Sequence, residues 1–237
     1  MGPAGSTFSS PKLLAGLFQE RRKSMIYEER RVSIEDLFCD EAKKADYAVI
    51  PSFKIPAAKV KFNGVEIETQ EFETPETKLY CIKHYKENNV DETMLLFDNC
   101  LFNMPITPFK DGKEICFKNS FLKKYLKKVF LPAFLDAVKL NPDFKIKCDI
   151  LSKVEVFGES EENNAGQLFW FYEPKHKIAM YKDGSDWWWL SDCVDKEENN
   201  PSSAYFALVN NYGFANYANA SRASFYVRPR FVIERKS

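Results

Sequence analysis

The sequence predicts an α+β fold, and three observations carry the prediction. From Asp46 onward short strand-type runs dominate, the clearest alternating polar and apolar residues on either side of Asn63-Gly64. One amphipathic helical stretch interrupts them near Phe121. Apolar residues make up 45% of the 237, and 21 of them are Phe, enough for the core of one large domain. We expect small, mostly antiparallel sheets, two helices and long irregular connections over residues 46–237. Residues 1–45 are expected to form a charged, helical N-terminal extension, with residues 1–6 an expression remnant.

Within that extension, Ser33 is placed to cap a helix, with Asp36 in the position of the capping-box acid and Ile34, Leu37 and Phe38 on one face. The basic residues Arg21, Arg22, Lys23, Arg30 and Arg31 alternate with Glu20, Glu28 and Glu29, the pattern of a solvated, salt-bridged face rather than a nucleic-acid arm. The segment from Lys12 to Ala45 is expected to dock onto an assembly partner.

Ala48-Val49-Ile50 reads as a strand stopped by Pro51. Lys59–Phe62 and Val65–Glu68 alternate around Asn63-Gly64, the strongest short signal for a hairpin. Leu79–Ile82 and Met94–Phe97 are further strands. Asn119 or Ser120 then caps a helix carrying Phe121, Leu122, Tyr125, Leu126, Val129 and Phe130 on one face. Lys123, Lys124, Lys127 and Lys128 lie opposite, as a solvated face rather than a phosphate site. Pro132 either kinks this helix or opens a second one running to Leu140, before Asn141-Pro142.

Val154–Gly158 reads as a strand or turn, and Glu159–Asn164 as a polar loop. The aromatic segments Phe169–Tyr172, Lys177–Tyr181 and Trp187–Leu190 follow, with a turn at Asp183-Gly184. Asp195–Asn200 reads as an exposed acidic loop, and Tyr205–Val209 and Phe225–Ile233 as closing strands.

The formal net charge is zero, from 34 basic and 34 acidic residues, so no overall field draws the chain to nucleic acid or anionic membrane. No apolar run reaches the ~18–20 residues that span a bilayer. The apolar Leu13–Phe18 precedes its basic cluster, the reverse of a secretory signal, so a location in the cytoplasm or on a larger assembly is expected. Six cysteines occur without a CxxC pair, which argues for reduced thiols over a zinc or redox motif.

The segment Ser202–Ile233 is dense in Asn, Tyr, Ser, Phe and Ala and contains no Lys, Asp, Glu, Gln, Met or Trp. Tyr supplies large contact area at low entropic cost, and Ser and Asn supply adaptable hydrogen bonds, so this is the composition of a recognition surface. The ends of the segment read as scaffold and its middle, Asn210–Phe225, as the binding face.

The helix SFLKKYLKKVFLPAF, the Val156-Phe157-Gly158 segment, WWWL, Ser203–Val209 and the terminal Val227-Arg228-Pro229-Arg230-Phe231 together resemble C-type-lectin-like domains of the formylglycine-generating-enzyme type. Among these the chain is similar to variable proteins of bacterial and phage diversity-generating retroelements, over residues 46–237. The resemblance implies a variable region of about residues 187–235. There, adenine-directed codon rewriting turns Asn into residues such as Tyr, Ser, Phe, Asp, Arg and Ala but never into Lys, Glu, Gln, Met or Trp. It implies ligand binding by Tyr205, Tyr212, Phe214, Asn216, Tyr217, Asn219, Ser221, Arg222, Ser224 and Phe225. Gly213, Val227, Arg228, Pro229 and the tryptophans would be scaffold. The implied partner is a protein or glycan on a cell or phage surface; the alternative is a non-diversified structural or interaction module of the same fold.

Trp187, Trp188 and Trp189 suggest a sugar-stacking platform, but strand alternation lets at most two share a face, and core filling explains them better. An enzyme is not expected. Cys193 has no nearby cysteine, His84 and His176 are far apart in sequence, and Asp183 with Asp186 suits a polar turn. The Glu-Pro-Asn, Gln-Pro-Asp and Trp-Asn-Asp strings of calcium-dependent lectins are absent, so neither a metal nor a cofactor is expected.

Overall fold

The computed structural model describes residues 28–87, 90–109, 116–160, 163–182, 184–194 and 205–236. The basic cluster at Arg21–Lys23, Asp183 and the acidic loop at Asp195–Asn200 lie outside the described residues. Among the described residues the fold is mixed α+β, with small sheets and few helices.

The chain opens with β1 (Arg30–Arg31), α1 (Ile34–Phe38), β2 (Asp46–Ile50), β3 (Lys54–Ile55), β4 (Ala58–Phe62) and β5 (Val65–Thr69). Then come β6 (Phe72–Glu73), β7 (Thr77–Glu87), β8 (Val90–Phe97) and β9 (Phe102–Asn103). The helical stretch holds α2 (Phe121–Tyr125), a π turn (Leu126–Phe130) and α3 (Leu131–Ala137). β10 (Lys145–Asp149), α4 (Lys153–Phe157), β11 (Ala179–Tyr181) and β12 (Gly184–Asp186) follow. The last strands are β13 (Trp188–Val194), β14 (Tyr205–Val209), β15 (Ala215–Asn219), β16 (Tyr226–Val227) and β17 (Arg230–Lys236).

Two sheets dominate. The six-stranded sheet runs β1-β2-β7-β8-β17-β10 and the five-stranded sheet β15-β14-β13-β16-β9. In each, one short pairing is parallel, β1 with β2 and β13 with β16, and the others are antiparallel. The central strands of both sheets are buried on both faces. Leu95, Phe97, Phe231, Ile233, Trp189, Phe206 and Leu208 enter one core, while Met94, Leu96, Val232, Trp188, Leu190, Ala207 and Val209 enter a second. Two-sided burial explains why Met94–Phe97, Phe206–Val209 and Phe231–Ile233 are continuous apolar runs rather than alternating ones.

The helical face Phe121, Leu122, Tyr125, Leu126, Val129 and Phe130 lies wholly in the first core, where Phe134 packs 4.7 Å from Phe231. Each fully buried Phe contributes about 1.5–3 kcal/mol. Ser120 caps α2 by accepting from the Lys123 N–H. Pro132 lies in the first turn of α3, and the Leu131 N–H donates to Leu126 O across the π turn. An i→i−5 bond there widens the backbone just ahead of a residue that has no N–H and whose ring crowds the carbonyl four positions back. The lysine row divides: Lys127 and Lys128 are exposed, whereas Lys123 pairs with Asp149 and donates to Cys148 O at 3.0 Å.

The Asn63-Gly64 hairpin forms as expected, with both residues at positive φ (49° and 83°), the signature of a type I′ turn. Ser33 caps α1 by accepting from Asp36 N at 3.0 Å. Residues 28–45, read from sequence as part of an extension, pack into the domain: β1 pairs with β2, and Leu37 and Phe38 belong to the first core. The segment expected as a strand or turn at Val154 is instead helix α4. Ser152 and Glu155 close a capping box there, with Ser152 N donating to Glu155 Oε2 at 2.7 Å, and Gly158 ends the helix at φ +84°.

Candidate functional site

The five-stranded sheet positions the segment Asn210–Phe225. β13 and β14 are pinned from both sides, with Trp188, Trp189, Phe206, Leu208 and Val209 all buried. Trp189 Nε1 donates to Met104 O at 2.9 Å and Trp188 Nε1 to Lys177 O at 3.0 Å, so both indoles meet the polar needs of their buried positions. β15 pairs with β14 from Val209↔Ala215 to Tyr205↔Asn219 and forms the outer edge of the sheet.

Two turns bracket β15. In the first, Asn210 Oδ1 accepts from Tyr212 N (2.9 Å) and Phe214 N (3.0 Å), while Gly213 takes φ +84°. A Cβ on Gly213 would also lie 3.3 Å from Lys177 Cβ, so the conformation favours glycine and a larger residue would crowd Lys177. In the second, Asn219 Oδ1 accepts from Ser221 N at 2.9 Å and from Ser221 Oγ at 2.8 Å.

Between β15, the Asn219 turn and the start of β13 lies an open concavity of about 610 Å³. Seven of the ten residues expected from sequence line it: Tyr205, Asn216, Tyr217, Asn219, Arg222, Ser224 and Phe225. Tyr212 and Phe214 do not; they project from the first turn, 72% and 67% exposed. Ser221 is engaged in the second turn and is only half-exposed.

Sequence reasoning did not place Asp186, Trp187 or Ala218 in this lining. Trp187 stacks on Phe225, with centroids 5.6 Å apart and planes at 9°. Burial pushes the Asp186 carboxyl above its ordinary pKa. Lys153, at the start of α4, donates to Tyr217 Oη at 2.8 Å and lies 5.4 Å from the centre of its ring. Ser152-x-x-Glu155 is the signal for that helix, but nothing local links Lys153 to Tyr217. Of the three consecutive tryptophans, Trp188 and Trp189 fill opposite cores and Trp187 alone reaches the concavity.

Arg228 lies beneath Trp188, away from the residues that line the concavity. It is fully buried, donating from Nε to Phe97 O and from a terminal nitrogen to His176 O, both at 2.8 Å, with its guanidinium 5.2 Å from the Trp188 ring. His176 stacks on Trp170 at 4.0 Å and donates Nδ1–H to Trp170 O at 2.7 Å, the carbonyl fixing the tautomer.

None of the six cysteines is joined in a disulfide. Burial raises the thiol pKa of Cys81, to about 12, and of Cys100 and Cys148. His84 Nδ1 contacts Thr93 Oγ1 at 3.0 Å. Among the described residues no three His, Cys, Asp or Glu side chains are grouped to hold a metal, and no helix is long and apolar enough to cross a membrane. Compared with protein-family models, curated proteins and solved structures, the chain matches none.

Proposed function

We propose that this chain is a ligand-binding protein that displays a Tyr/Asn/Ser/Phe surface on a C-type-lectin-like scaffold, in the manner of the variable protein of a diversity-generating retroelement. One observation carries the reading. A concavity lined by exposed and half-exposed Tyr, Asn, Ser and Phe side chains sits against strands β13 and β14, whose Trp188–Leu190 and Phe206–Val209 are buried on both faces. Such a surface can change its side chains at little cost to the core, where substitutions cost most. Aromatic anchors supply most of the affinity and small polar residues tune it.

The retroelement reading draws on the residue census of Ser202–Ile233, which lacks the residue types adenine-directed rewriting cannot produce. A near-repeat of the coding sequence for residues 187–235, differing only at adenines and lying beside a reverse transcriptase gene, tests it. The absence of such a repeat from the locus removes it.

A second reading, a non-diversified interaction module of the same fold, is favoured by Asn219. Its side chain holds the turn at Ser221, a role that codon rewriting would discard.

Binding itself is tested on glycan and displayed-peptide arrays with Tyr212, Tyr217 and Phe225 each replaced by alanine. The proposal expects binding to fall while Tyr212→Ala stays as stable as the parent. Undiminished binding in all three variants rejects it.

A further inference from the structure

The asparagines of this surface are not free to present both halves of their amides. Asn210 Oδ1 accepts from two backbone N–H groups, Asn216 Oδ1 from Tyr217 N at 2.7 Å, and Asn219 Oδ1 from Ser221 N. Asn211 Oδ1 accepts from Trp187 Nε1 at 3.2 Å. A backbone N–H or an indole N–H only donates, so each contact fixes which amide end is oxygen. In all four the carbonyl end is engaged by the fold, twice at Asn210 and Asn219 and once at Asn211 and Asn216. Among the described residues the Nδ2 groups have no acceptor, and none is sealed from solvent. Tyr217 Oη already accepts from Lys153, which leaves its proton to be donated outward. Exposed Arg222 adds a guanidinium, a group with donors and no acceptor. Against these donors the lining sets the hydroxyls of Tyr205 and Ser224 and one carboxylate, Asp186.

We infer that this face selects its ligand by hydrogen-bond acceptors, and that the acceptors are backbone carbonyls of an extended polypeptide segment. The inference rests on the binding reading above and names the ligand chemistry for the same surface. A sugar hydroxyl both donates and accepts, and it is matched best by side chains that offer both; here Asn219 Oδ1 is taken by Ser221 N and Ser221 Oγ and Asn216 Oδ1 by Tyr217 N, so both amides present chiefly their Nδ2 donors. A carboxylate ligand would meet Asp186. A peptide carbonyl is a neutral acceptor that suits Asn216, Asn219 and Tyr217. Exposed Tyr212 and Phe214, beside Ile178 on the Gly213 turn, offer apolar contact for the segment's side chains.

Asparagine-to-aspartate substitution separates this from a purely structural role. In Asn216→Asp and Asn219→Asp one carboxylate oxygen still accepts the backbone N–H, so the local turn is kept while the outward donor becomes an acceptor. A displayed library of random linear peptides is selected on the parent protein, and enriched peptides are titrated by fluorescence polarisation. We expect each Asp variant to weaken those peptides by about tenfold or more, with an unchanged unfolding midpoint. Arg222→Glu, on a side chain without a described partner, inverts the polarity without touching a turn and is expected to act in the same direction.

Equal or tighter peptide binding by folded Asp variants and by Arg222→Glu overturns the inference. If Tyr217→Ala and Phe225→Ala still lose binding, the binding surface itself stands. Failure to enrich any peptide, or enrichment of glycans alone, also overturns it. Loss of neither aromatic contribution removes the binding reading instead.

Discussion

Trp187 and Phe225 lie face to face at the mouth of the concavity, and Phe225 also turns its plane at 85° to the buried Trp189, 5.1 Å away. One phenyl ring thus joins the exposed surface to the first core. The aromatic wall that a ligand would meet is held in place by a residue the ligand cannot reach.

The three tryptophans are therefore expected to separate in mutagenesis. Trp188→Ala and Trp189→Ala each remove a fully buried indole and should cost about 3–5 kcal/mol by urea denaturation. Trp187→Ala, half-buried at the surface, should cost clearly less and should instead weaken ligand binding. Equal stability losses at all three positions would refute this division.

Among the described residues Arg228 has no carboxylate hydrogen-bond partner, and burial pulls its pKa below the ordinary value against the opposing influence of Asp98 and Cys100. Its two carbonyl bonds and the Trp188 face offset part of that cost. Arg228→Lys keeps a buried charge but cannot reach Phe97 O and His176 O together. Arg228→Met abandons both carbonyls yet removes the charge. We expect Lys to be the more destabilising, with Met costing about 2 kcal/mol, as read from denaturant midpoints.

His176 gives a pH dependence. Desolvation lowers its pKa, and the hydrogen bond to Trp170 O and the nearby Glu173 only partly oppose this, while Lys175 and Arg228 reinforce it. The unfolded chain therefore binds the proton more tightly than the folded one. Stability from this group is fully present above the unfolded pKa of about 6.5 and is lost as pH falls from there toward the folded value. His176→Phe, which keeps a ring against Trp170, should show a smaller loss of midpoint than the parent between about pH 7.5 and 5.5. Parallel curves would count against it.

Two glycines at positive φ should differ in their tolerance of alanine. At Gly64 an added Cβ meets nothing within 4 Å, so only backbone strain of about 1 kcal/mol is expected. At Gly158 it would lie 2.7 Å from Asn163 O and 2.8 Å from Asn164 Cα, both backbone atoms that cannot step aside. Thermal unfolding should place Gly158→Ala well below Gly64→Ala.

Legibility in the sequence followed the range of the interactions. The Asn63-Gly64 hairpin, the Ser33 and Ser120 caps and the apolar face from Phe121 to Phe130 depend on neighbours within a few positions, and each was readable. Helix α4 is also locally encoded by Ser152 and Glu155, but Val154, Val156 and Phe157 fit a strand or turn as well as a helix. Continuous apolar runs showed strands without showing that both faces are buried, because alternation disappears when each face has a core. The packing of residues 28–45 against β2 and the first core depends on partners far along the chain.

For the candidate site, the residue types of Asn210–Phe225 already announced a surface rich in aromatic rings and small amides, since composition alone fixes what a segment can offer. Which of those groups face outward was decided by tertiary structure. Strand pairing put Asn216, Tyr217 and Asn219 on an outer edge, and packing brought Trp187 against Phe225 and Lys153 against Tyr217. Backbone turns consumed the amide oxygens of Asn210 and Asn219. Local sequence specifies chemistry and turns through short-range sterics and hydrogen bonds; the orientation of a donor or a ring depends on residues that only the folded chain brings close.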